Sequence, residues 1–318
     1  MLKFLKKGEG PSISVVVPLY NHGRYIKSTL ESVIEQTSPA DEIILIDDGS
    51  SDNGFEIAER LLAKTPRART FRQENAGAYN TINRAIGISR SQYIAMLNSD
   101  DLFAPKKLER CRNLIAQRGA ADLIAGGVGI MDDGGVRQRG GGVAVDWLSR
   151  SKSFLDRYSL PQLSLVNENY IATTSNMVFS RRLWDVAGGF QPLRYCHDLD
   201  FLMFAFESGS VLLDLDEEHI VYRVHQGNTI KEDLSRVRVE IAAVIANTLH
   251  QSGPRLLSPE FSERDFEAFS TVLRNKQMSD MLCFFQTIRL AFATRTVFYE
   301  YATDEKRGPA FRQVVSPA

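Results

Sequence analysis

The sequence predicts an α/β protein in which helices flank a mostly parallel, Rossmann-like sheet and a helical extension follows at the C-terminus. Short apolar runs alternate with segments of helical periodicity over the first 100 residues, an order typical of parallel strand-helix units. Polar clusters follow three of these runs, at Asn21, Asp48 and Asp100. From residue 232 to residue 302 the spacing of apolar residues is mostly helical.

The composition is that of an ordinary soluble globular protein, with 43% hydrophobic and 24% charged residues in a chain of 318. A formal net charge of −1 predicts no nucleic-acid partner, because it implies no basic face. Three cysteines without metal-ligand spacing favour a reducing, cytoplasmic compartment over a disulfide framework. No run of 18 apolar residues is present. Residues 1–11 are expected to be a flexible N-terminus, with a weak membrane contact as the alternative.

Four apolar or β-branched runs are expected to form the first strands, at 13–17, 42–46, 70–73 and 93–97. Helical spacing follows each of them, over 24–36, 57–62, 82–86 and from Lys106 onward. Because the carboxyl ends of parallel strands meet at one edge of a sheet, the three polar clusters are expected to gather there.

The second half of the chain has a looser pattern. A strand is expected over 122–129, a hairpin or a lid over 132–142, and helical structure over 146–166 with a break at Pro161. Further on, the pattern predicts a helix over 181–186 and a second helix whose first turn contains Asp198 and Asp200. Two strands are expected over 211–215 and 220–224. Helices then continue, with a break around 252–258.

The strand at 93–97 ends in Asn98, Ser99, Asp100 and Asp101. Two adjacent carboxylates repel each other, so a cation or good hydrogen bonding must compensate them. A hard divalent ion that holds a diphosphate is one partner with that chemistry. Capping of the helix that follows is the other explanation, and this stretch alone supports both.

Several motifs together resemble those of family 2 glycosyltransferases, which are inverting enzymes with the GT-A fold. The resemblance covers residues 12–230 and therefore most of the chain. The matching motifs, in chain order, are Ser14-Val15-Val16-Val17-Pro18-Leu19-Tyr20-Asn21, Ile46-Asp47-Asp48-Gly49-Ser50-Ser51-Asp52, Asn75-Ala76-Gly77, Asn98-Ser99-Asp100-Asp101, Gly188-Gly189-Phe190, His197-Asp198 and Tyr222-Arg223-Val224-His225.

The resemblance implies a site for a nucleotide-sugar donor and a divalent metal, Mn²⁺ or Mg²⁺. Asp48 would accept a hydrogen bond from the base. Asn98 replaces the first acid of the family's Asp-x-Asp motif, so it can bond the ribose but adds no charge at the metal. The implied donor residues are Pro18, Tyr20, Asn21, Asp48, Asn75, Gly77, Asn98 and Ser99, and the implied metal ligands are Asp100 first, then Asp101 and His225.

The resemblance also implies that Asp198 is the catalytic base, which takes the proton from the acceptor hydroxyl as that oxygen attacks the anomeric carbon. One base and a direct displacement would invert the anomeric configuration. Asp200 is expected to be structural, because its offset of two residues turns it to another side of the helix. Contacts to the sugar or acceptor are expected from Thr174, Ser175, Asn176 and His197, stacking on sugars from Tyr170 and Tyr195, and core packing from Trp184.

The expected organisation is a nucleotide-sugar-binding half at 12–118, an acceptor-binding and catalytic half at 119–231, and a helical region at 232–318. The last is either an appendage or an oligomer contact, so a homodimer is one option. The expected function is transfer of a sugar from a nucleoside-diphosphate donor, with UDP favoured, to a glycan or lipid-linked acceptor in cell-surface polysaccharide synthesis. A lipid-linked acceptor is compatible with peripheral association of the chain at the inner face of the membrane.

Two other functions compete with this one. A nucleotidyltransferase would also use a parallel sheet and acidic metal sites. The turn Tyr20-Asn21-His22-Gly23-Arg24 differs from the glycine- and lysine- or arginine-rich phosphate loop that such an enzyme usually has after its first strand. A catalytically silent module that binds a nucleotide or carbohydrate is the second competitor, and the Asn98 departure leaves room for it.

Overall fold

A computed structural model describes residues 10–155, 161–256, 262–304 and 306. The chain divides into two compact units, each built from three segments. The first, here the sheet unit, comprises Met1–Gly140, Ile171–Phe190 and Ser208–Val224. The second, here the helical unit, comprises Gly141–Tyr170, Gln191–Glu207 and His225–Ala318. Neither unit is a continuous stretch of sequence. The parts predicted from the sequence, in contrast, are consecutive.

The sheet unit contains one mixed sheet, with nine strands among the described residues. Its order is β3-β2-β1-β4-β8-β6-β9-β5, and β7 pairs with β6. The strands are β1 (Ile13–Leu19), β2 (Glu42–Asp47), β3 (Ala68–Arg72), β4 (Tyr93–Met96), β5 (Leu102–Phe103), β6 (Leu123–Met131), β7 (Arg137–Gln138), β8 (Met177–Ser180) and β9 (Val211–Arg223).

Helices flank this sheet and form most of the helical unit, which confirms the predicted α/β class and the helical C-terminal region. The sheet unit holds α1 (Ile26–Ile34), α2 (Gly54–Leu62), α3 (Ala78–Ile88), α4 (Lys107–Arg118) and α7 (Arg181–Ala187). The helical unit holds α5 (Val143–Ser153), α6 (Pro161–Asn167), α8 (His197–Ser208), α9 (Leu234–Leu256), α10 (Glu263–Asn275), α11 (Ser279–Arg289) and α12 (Arg295–Thr303).

The first four strands are parallel, as their sequence pattern predicts. The central strand β1 pairs with β2 on one side and with β4 on the other. Its residues Val15, Val16 and Val17 are fully buried. A strand covered on both faces needs apolar side chains in both directions, and this is why β1 is a continuous β-branched run and not an alternating one.

Two predictions about the strands of the second half need correction. The predicted strands at 211–215 and 220–224 are one strand, β9, which pairs in parallel with β6 through register shifts beside Gly127. The acidic residues 216–218 lie at the bulge of β9 and are exposed to solvent. Because they interrupt the apolar pattern, the sequence predicts two separate strands. Strand β8, antiparallel to β4 and β6, was not predicted at all.

The glycine-rich stretch and the later breaks follow their predictions in part. Strand β7 returns along β6, with Ile130 opposite Gln138, so the hairpin interpretation of 132–142 is confirmed. Pro161 begins α6, the position in a helix where a proline is tolerated. The break predicted over 252–258 is wrong in its described part, because helix α9 continues to Leu256. Residues 257 and 258 of that prediction lie outside the described residues.

The helical unit has its own apolar core. Phe285 of α11 and Phe298 of α12 are fully buried, and their ring centroids lie 5.8 Å apart in a perpendicular arrangement.

Within the described parts of the chain, no helix has the length and apolar composition that crossing a membrane requires.

A buried polar cluster in the sheet unit contains residue types that elsewhere form nucleophilic sites. The Cys111 thiol lies 3.9 Å from His219 Nδ1, and His219 Nε2 lies 2.9 Å from Asp214, which also pairs with Arg110 at 2.8 Å. Burial raises the pKa of Cys111 to about 12 and lowers the pKa of His219 to about 4. Both groups are therefore neutral near pH 7, and the cluster is structural.

We expect Gly126→Ala to destabilise the sheet unit, because a Cβ at this position would lie 2.0 Å from His219 Cγ. The ring must leave Asp214 to make room, so the free energy of unfolding should fall by about 1–3 kcal/mol. Urea denaturation followed by fluorescence measures this change.

Gly87→Ala in α3 is the matched control, because no heavy atom lies within 4 Å of the new Cβ. It should raise the free energy of unfolding by about 0.5–1 kcal/mol. Equal stabilities of the two variants would contradict the proposed packing of His219 on the backbone of β6.

Candidate active site

The predicted polar clusters of the sheet unit meet at the carboxyl ends of β1, β2 and β4. The backbone N–H of Asn21 donates to Ser50 Oγ at 2.9 Å, which links the first cluster to the second. His22 Nδ1 lies 2.8 Å from Ser99 Oγ, which links the first cluster to the third. Asn21 holds the turn in a left-handed conformation with φ 51°, one that asparagine tolerates better than most residues.

Asp48 is buried and anchors the turn that precedes α3. Its Oδ1 accepts hydrogen bonds from Gln73 Nε2 at 2.7 Å and from the Ala76 N–H at 2.8 Å. Its Oδ2 accepts from the Gly77 N–H at 3.0 Å, and Gly77 has a φ of 86° that favours glycine. The predicted bond to a nucleobase would use a remaining lone pair of this carboxylate.

The other predicted donor residues around this anchor differ in exposure. The Tyr20 ring is 49% exposed at the end of β1, and Asn75 is exposed in the turn beside Asp48. Pro18 is half-buried, and Ser99 is 3% exposed. Tyr20 and Asn75 therefore offer accessible surface beside the buried polar groups.

Asn98 is held by the turn that precedes β8. Its N–H donates to Ser175 Oγ at 2.9 Å, and its Nδ2 donates to Thr173 Oγ1 at 2.9 Å. The Thr174 hydroxyl donates to Asn98 Oδ1 at 2.8 Å. These bonds fix both ends of the Asn98 amide.

Thr174, Ser175 and Asn176, which are expected to contact the sugar or acceptor, lie inside the protein. Ser175 and Asn176 are fully buried, and Thr174 is 4% exposed. Asn176 bridges to β6, where its Oδ1 accepts from the Gly126 N–H at 3.0 Å. Thr174 and Ser175 hold Asn98 at the sheet edge where Asn21, Asp48 and Asp100 meet, here called the donor edge.

Asp101, the residue that follows Asp100, is fully buried. Its Oδ2 accepts from the hydroxyls of Ser175 at 2.5 Å and Thr173 at 3.3 Å. Its Oδ1 accepts from the backbone N–H of Arg223 at 3.0 Å. Burial, followed by the charge of Asp100, raises the pKa of Asp101 well above the usual carboxyl range, and these hydrogen bonds act in the opposite direction.

Arg223, at the end of β9, is 4% exposed and holds the backbone of the acidic motif. Its Nε donates to the Asp100 carbonyl at 2.8 Å, and its guanidinium lies 4.8 Å from the centroid of the Tyr25 ring. Arg223 belongs to one of the family motifs, and no role for it was predicted from the sequence. The acceptor for its side chain is a main-chain carbonyl, which no sequence pattern could identify.

Lys107 is a second residue of this region that the sequence analysis missed. It is fully buried, its Nζ donates to the Ser175 carbonyl at 2.5 Å, and its Nζ lies 4.1 Å from the Phe103 ring centroid. Burial lowers the pKa of Lys107 to about 7, and the charges of Cys111 and Asp101 act against that shift. Because Lys107 opens α4 beside Lys106, Glu109 and Arg110, its position in the sequence looks like that of a surface lysine.

Asp100 and His22 have the chemistry of metal ligands. A carboxylate oxygen of Asp100 and a ring nitrogen of His22 lie within 4.8 Å of each other. Opposite ligands of one Mg²⁺ ion lie about 4.2 Å apart, so at most a small rotamer change would let both side chains bind the same ion. A carboxylate suits Mg²⁺ or Mn²⁺, and a neutral imidazole could serve as a further ligand. His22 was not predicted, although it directly follows Asn21.

Asp198, the predicted base, lies in the first turn of α8 in the helical unit. It is half-buried. Asn169 Nδ2 lies 3.3 Å from its Oδ2, and the Leu199 N–H donates to its Oδ1 at 2.7 Å. Burial raises the pKa of Asp198, and the neighbouring His197 acts in the opposite direction.

The two predicted histidines also belong to the helical unit. His197 is half-buried, with its Nδ1 3.3 Å from the Leu193 carbonyl. His225 is 9% exposed, and its backbone is fixed on both sides: its N–H donates to Asn228 Oδ1 at 2.8 Å, and its carbonyl accepts from Lys231 Nζ at 2.8 Å.

Asp200 has the structural role that the sequence predicts. It is 2% exposed, accepts from the Tyr299 hydroxyl at 2.6 Å and pairs with Arg295 at 3.2 Å. Tyr170 and Tyr195, expected to stack on sugars, are instead core residues with 0% and 9% exposure. Large aromatic rings are as often core as binding surface, and only the tertiary structure distinguishes the two.

Comparisons with known proteins agree with this architecture. The family model described as glycosyl transferase family 2 matches residues 14–186, more than half of the chain. Glycosyltransferase GlyG of Streptococcus pneumoniae is 37% identical over 115 residues, which span 36% of this chain and 38% of that protein. Chondroitin synthase of Pasteurella multocida is 34% identical over 101 residues, which span 32% of this chain and 10% of that protein.

Two groups of solved structures show the same fold. TarS residues 1–349 of S. aureus in complex with UDP superpose with a TM-score of 0.56 and 19% identity, covering 94% of this chain and 78% of that one. The mannosyltransferase PcManGT of Pyrobaculum calidifontis, in complex with GDP-Man and Mn²⁺, gives a TM-score of 0.57 and 14% identity, covering 97% and 87%.

The matched segments span less than two fifths of these curated relatives, so their whole activities do not transfer with the similarity. The family match is nevertheless long, and it contains the three polar clusters at one sheet edge. With the solved structures it confirms both the fold and the family predicted from the motifs. The chain belongs to glycosyl transferase family 2.

Proposed function

We propose that this chain is an inverting glycosyltransferase that moves a sugar from a nucleoside-diphosphate donor to a hydroxyl acceptor. The convergence of Asn21, Asp48 and Asp100 at one edge of the sheet unit carries the proposal. That edge combines buried hydrogen-bonding groups with an accessible aromatic ring at Tyr20 and with metal-binding chemistry at Asp100. Family membership supports the reaction class.

In this proposal the donor edge binds the nucleotide and its diphosphate. Pro18 and Tyr20 line the nucleoside pocket, Asp48 bonds the base, and Asn98 bonds the ribose. The turns that carry Asn21, Asn75, Gly77 and Ser99 complete the pocket. Asp100 and His22 would bind a Mn²⁺ or Mg²⁺ ion, which when bound neutralises charge on the departing diphosphate.

Two metal ligands expected from the sequence have different support. Asp101 already accepts three protein hydrogen bonds, so we propose that it positions Asp100 and serves as a ligand only in second place. His225 stays a proposed ligand on the strength of the family resemblance, because a neutral imidazole is competent to bind the ion.

Asp198 is the proposed base in the helical unit. A base must be accessible to the acceptor and must hold the proton that it removes. The half-buried Asp198 keeps part of its surface in contact with solvent, which meets the first need, and the elevation of its pKa by burial favours the second. His197, next to it in the chain, is the proposed contact for the acceptor.

The donor and acceptor classes are also proposals. UDP or UDP-GlcNAc is bound in the solved TarS complexes, and GDP-Man in PcManGT, so both bases are donor candidates and UDP is the one we propose. A glycan or lipid-linked acceptor in cell-surface polysaccharide synthesis agrees with similarity to chondroitin synthase. A lipid-linked acceptor would bring the chain to the inner face of the membrane.

One observation favours a second function, a silent module that binds a nucleotide without turnover. Asn98 occupies the position where the family usually has an acid, and both ends of its amide are engaged by threonines. It therefore contributes no charge at a metal. Binding with no release of the sugar from any donor would support this alternative.

The first prediction concerns the donor site. Titration calorimetry with UDP, GDP and dTDP, each with and without Mn²⁺, should show metal-dependent binding of UDP. Asp100→Asn keeps the shape of the side chain but removes its charge, so it should weaken binding with Mn²⁺ by about tenfold or more. It should change metal-free binding little.

Asp185→Asn on α7 is the control for this titration, because it makes the same change at an exposed position of the sheet unit. It should bind like the unmodified chain. Equal affinity of Asp100→Asn and Asp185→Asn in Mn²⁺ would move the metal site away from Asp100.

The second prediction concerns the base. Asp198→Asn should lower kcat by about 10²- to 10⁴-fold, measured as nucleoside diphosphate released from UDP-GlcNAc or GDP-mannose with water as acceptor. Affinity for the nucleoside diphosphate should stay within about twofold, because the base acts on the acceptor. Asp280→Asn, also in the first turn of a helix of this unit, should retain full activity. A comparable kcat in both variants would refute the assignment.

The third prediction concerns pH. Asp198 must be ionised to take a proton, and burial raises its pKa. Activity should therefore be lost as the pH falls through a value above the ordinary aspartate range of about 4. The profile of kcat/KM from pH 4 to pH 9 measures this. An acid limb at or below the ordinary range would show that another group, or a solvated Asp198, limits the reaction.

A further inference from the structure

We propose that Glu240 of α9 is a positioning residue for the catalytic base, because it binds the backbone that leads into Asp198. The proposal rests on the function proposed for Asp198. The C-terminal helical region would then have a role in the reaction. From the sequence it is expected to be either an appendage or an oligomer contact. All of the contacts involved lie within the helical unit.

Glu240 binds three consecutive backbone amides. Its Oε1 accepts from the Arg194 N–H at 2.9 Å. Its Oε2 accepts from the N–H groups of Tyr195 at 2.7 Å and Cys196 at 2.8 Å. Helix α8 begins at the next residue, and Asp198 is its second. A single side chain thus fixes the main chain immediately before the base.

The sequence places no oxygen-bearing side chain at the position immediately before α8. The Cys196 carbonyl accepts the first helical bond, from the Asp200 N–H at 2.9 Å, so Cys196 is in the position of an N-cap. A thiol is a poor substitute for the oxygen acceptors of Ser, Thr, Asn or Asp. Glu240 does not replace that acceptor. It accepts instead from the N–H of Cys196 itself, the bond that the acid at N3 makes in a capping box, and it also places negative charge near the positive end of α8.

The contact demands a carboxylate and not only a polar side chain. Glu240 is 3% exposed, and a buried acceptor set of this kind tolerates little substitution. A glutamine would keep one oxygen and place an NH₂ group against backbone N–H donors, which leaves at least one buried amide without a partner. Burial raises the pKa of Glu240, and the three amide donors act against that shift.

A second contact ties the same turn to the C-terminal helices. Asp200 pairs with Arg295 at 3.2 Å and accepts from the Tyr299 hydroxyl at 2.6 Å, both on α12. The first turn of α8 is therefore held before the base by α9 and after it by α12. Such supports matter because a displacement of about 1 Å at a catalytic group lowers rates by about 10²-fold.

The test compares Glu240→Gln with Glu267→Gln, the same change at an exposed position of α10. Glu240→Gln should lower kcat for release of nucleoside diphosphate from the sugar nucleotide by about tenfold or more. The KM for the donor and the affinity for UDP should stay within about twofold. Glu240→Asp restores the charge at shorter reach, so its kcat should lie between those of Glu240→Gln and the unmodified chain.

Hydrogen exchange gives a readout that does not depend on activity. The amides of residues 194–196 should exchange at least about tenfold faster in Glu240→Gln than in Glu267→Gln, because they lose buried acceptors. If these amides exchange faster in Glu240→Gln but the unmodified chain releases no sugar from any donor, the contact of Glu240 with residues 194–196 is supported and the proposed function is refuted.

Two results would overturn the positioning role. One is unchanged exchange at residues 194–196 together with kcat within twofold of the unmodified chain. The other is a parallel loss of kcat, UDP affinity and thermal stability in Glu240→Gln that Glu240→Asp does not reverse, which is the behaviour of a purely structural core residue.

Discussion

The donor edge of the sheet unit depends on one buried carboxylate, that of Asp101. Its removal from water costs several kcal/mol unless hydrogen bonds replace the lost hydration. The structure supplies Ser175 and Thr173 from the turn before β8, and the Arg223 N–H from the end of β9. Satisfying Asp101 therefore brings three distant parts of the chain together under Asp100. The geometry of the candidate metal ligand is a consequence of this buried neighbour.

The acids of this protein show that environment, and not residue type, separates their roles. Asp48 and Asp101 are buried with their oxygens directed at protein donors, so they set the shape of loops. Asp198 keeps contact with solvent, whereas Asp200, two residues later, is closed off by Arg295 and Tyr299. The Cys111 and His219 pair makes the same point, since burial leaves both neutral and out of reach of substrate.

Much of the support for the candidate site comes from main-chain contacts of charged side chains. Arg223 and Lys107 each bind a carbonyl, and Glu240 binds three amides. A buried charge can be stabilised in this way without an opposite charge as partner, because peptide dipoles are fixed and correctly oriented. Through Glu240, α9 is linked in this way to the segment that leads into α8, the helix that carries the proposed base.

The sequence by itself determined the alternation of strands and helices in the first half, the fold class and the family motifs. It also determined that Asn21, Asp48 and Asp100 share one edge, because parallel strands all point their carboxyl ends the same way. Only the tertiary structure decided that β9 is one bulged strand, that Ser175 and Asn176 are buried, and that Glu240 reaches residues 194–196. Local patterns record periodicity and composition. They do not record which main-chain group a distant side chain meets, and in this protein such long-range contacts determine the surroundings of the candidate catalytic acids.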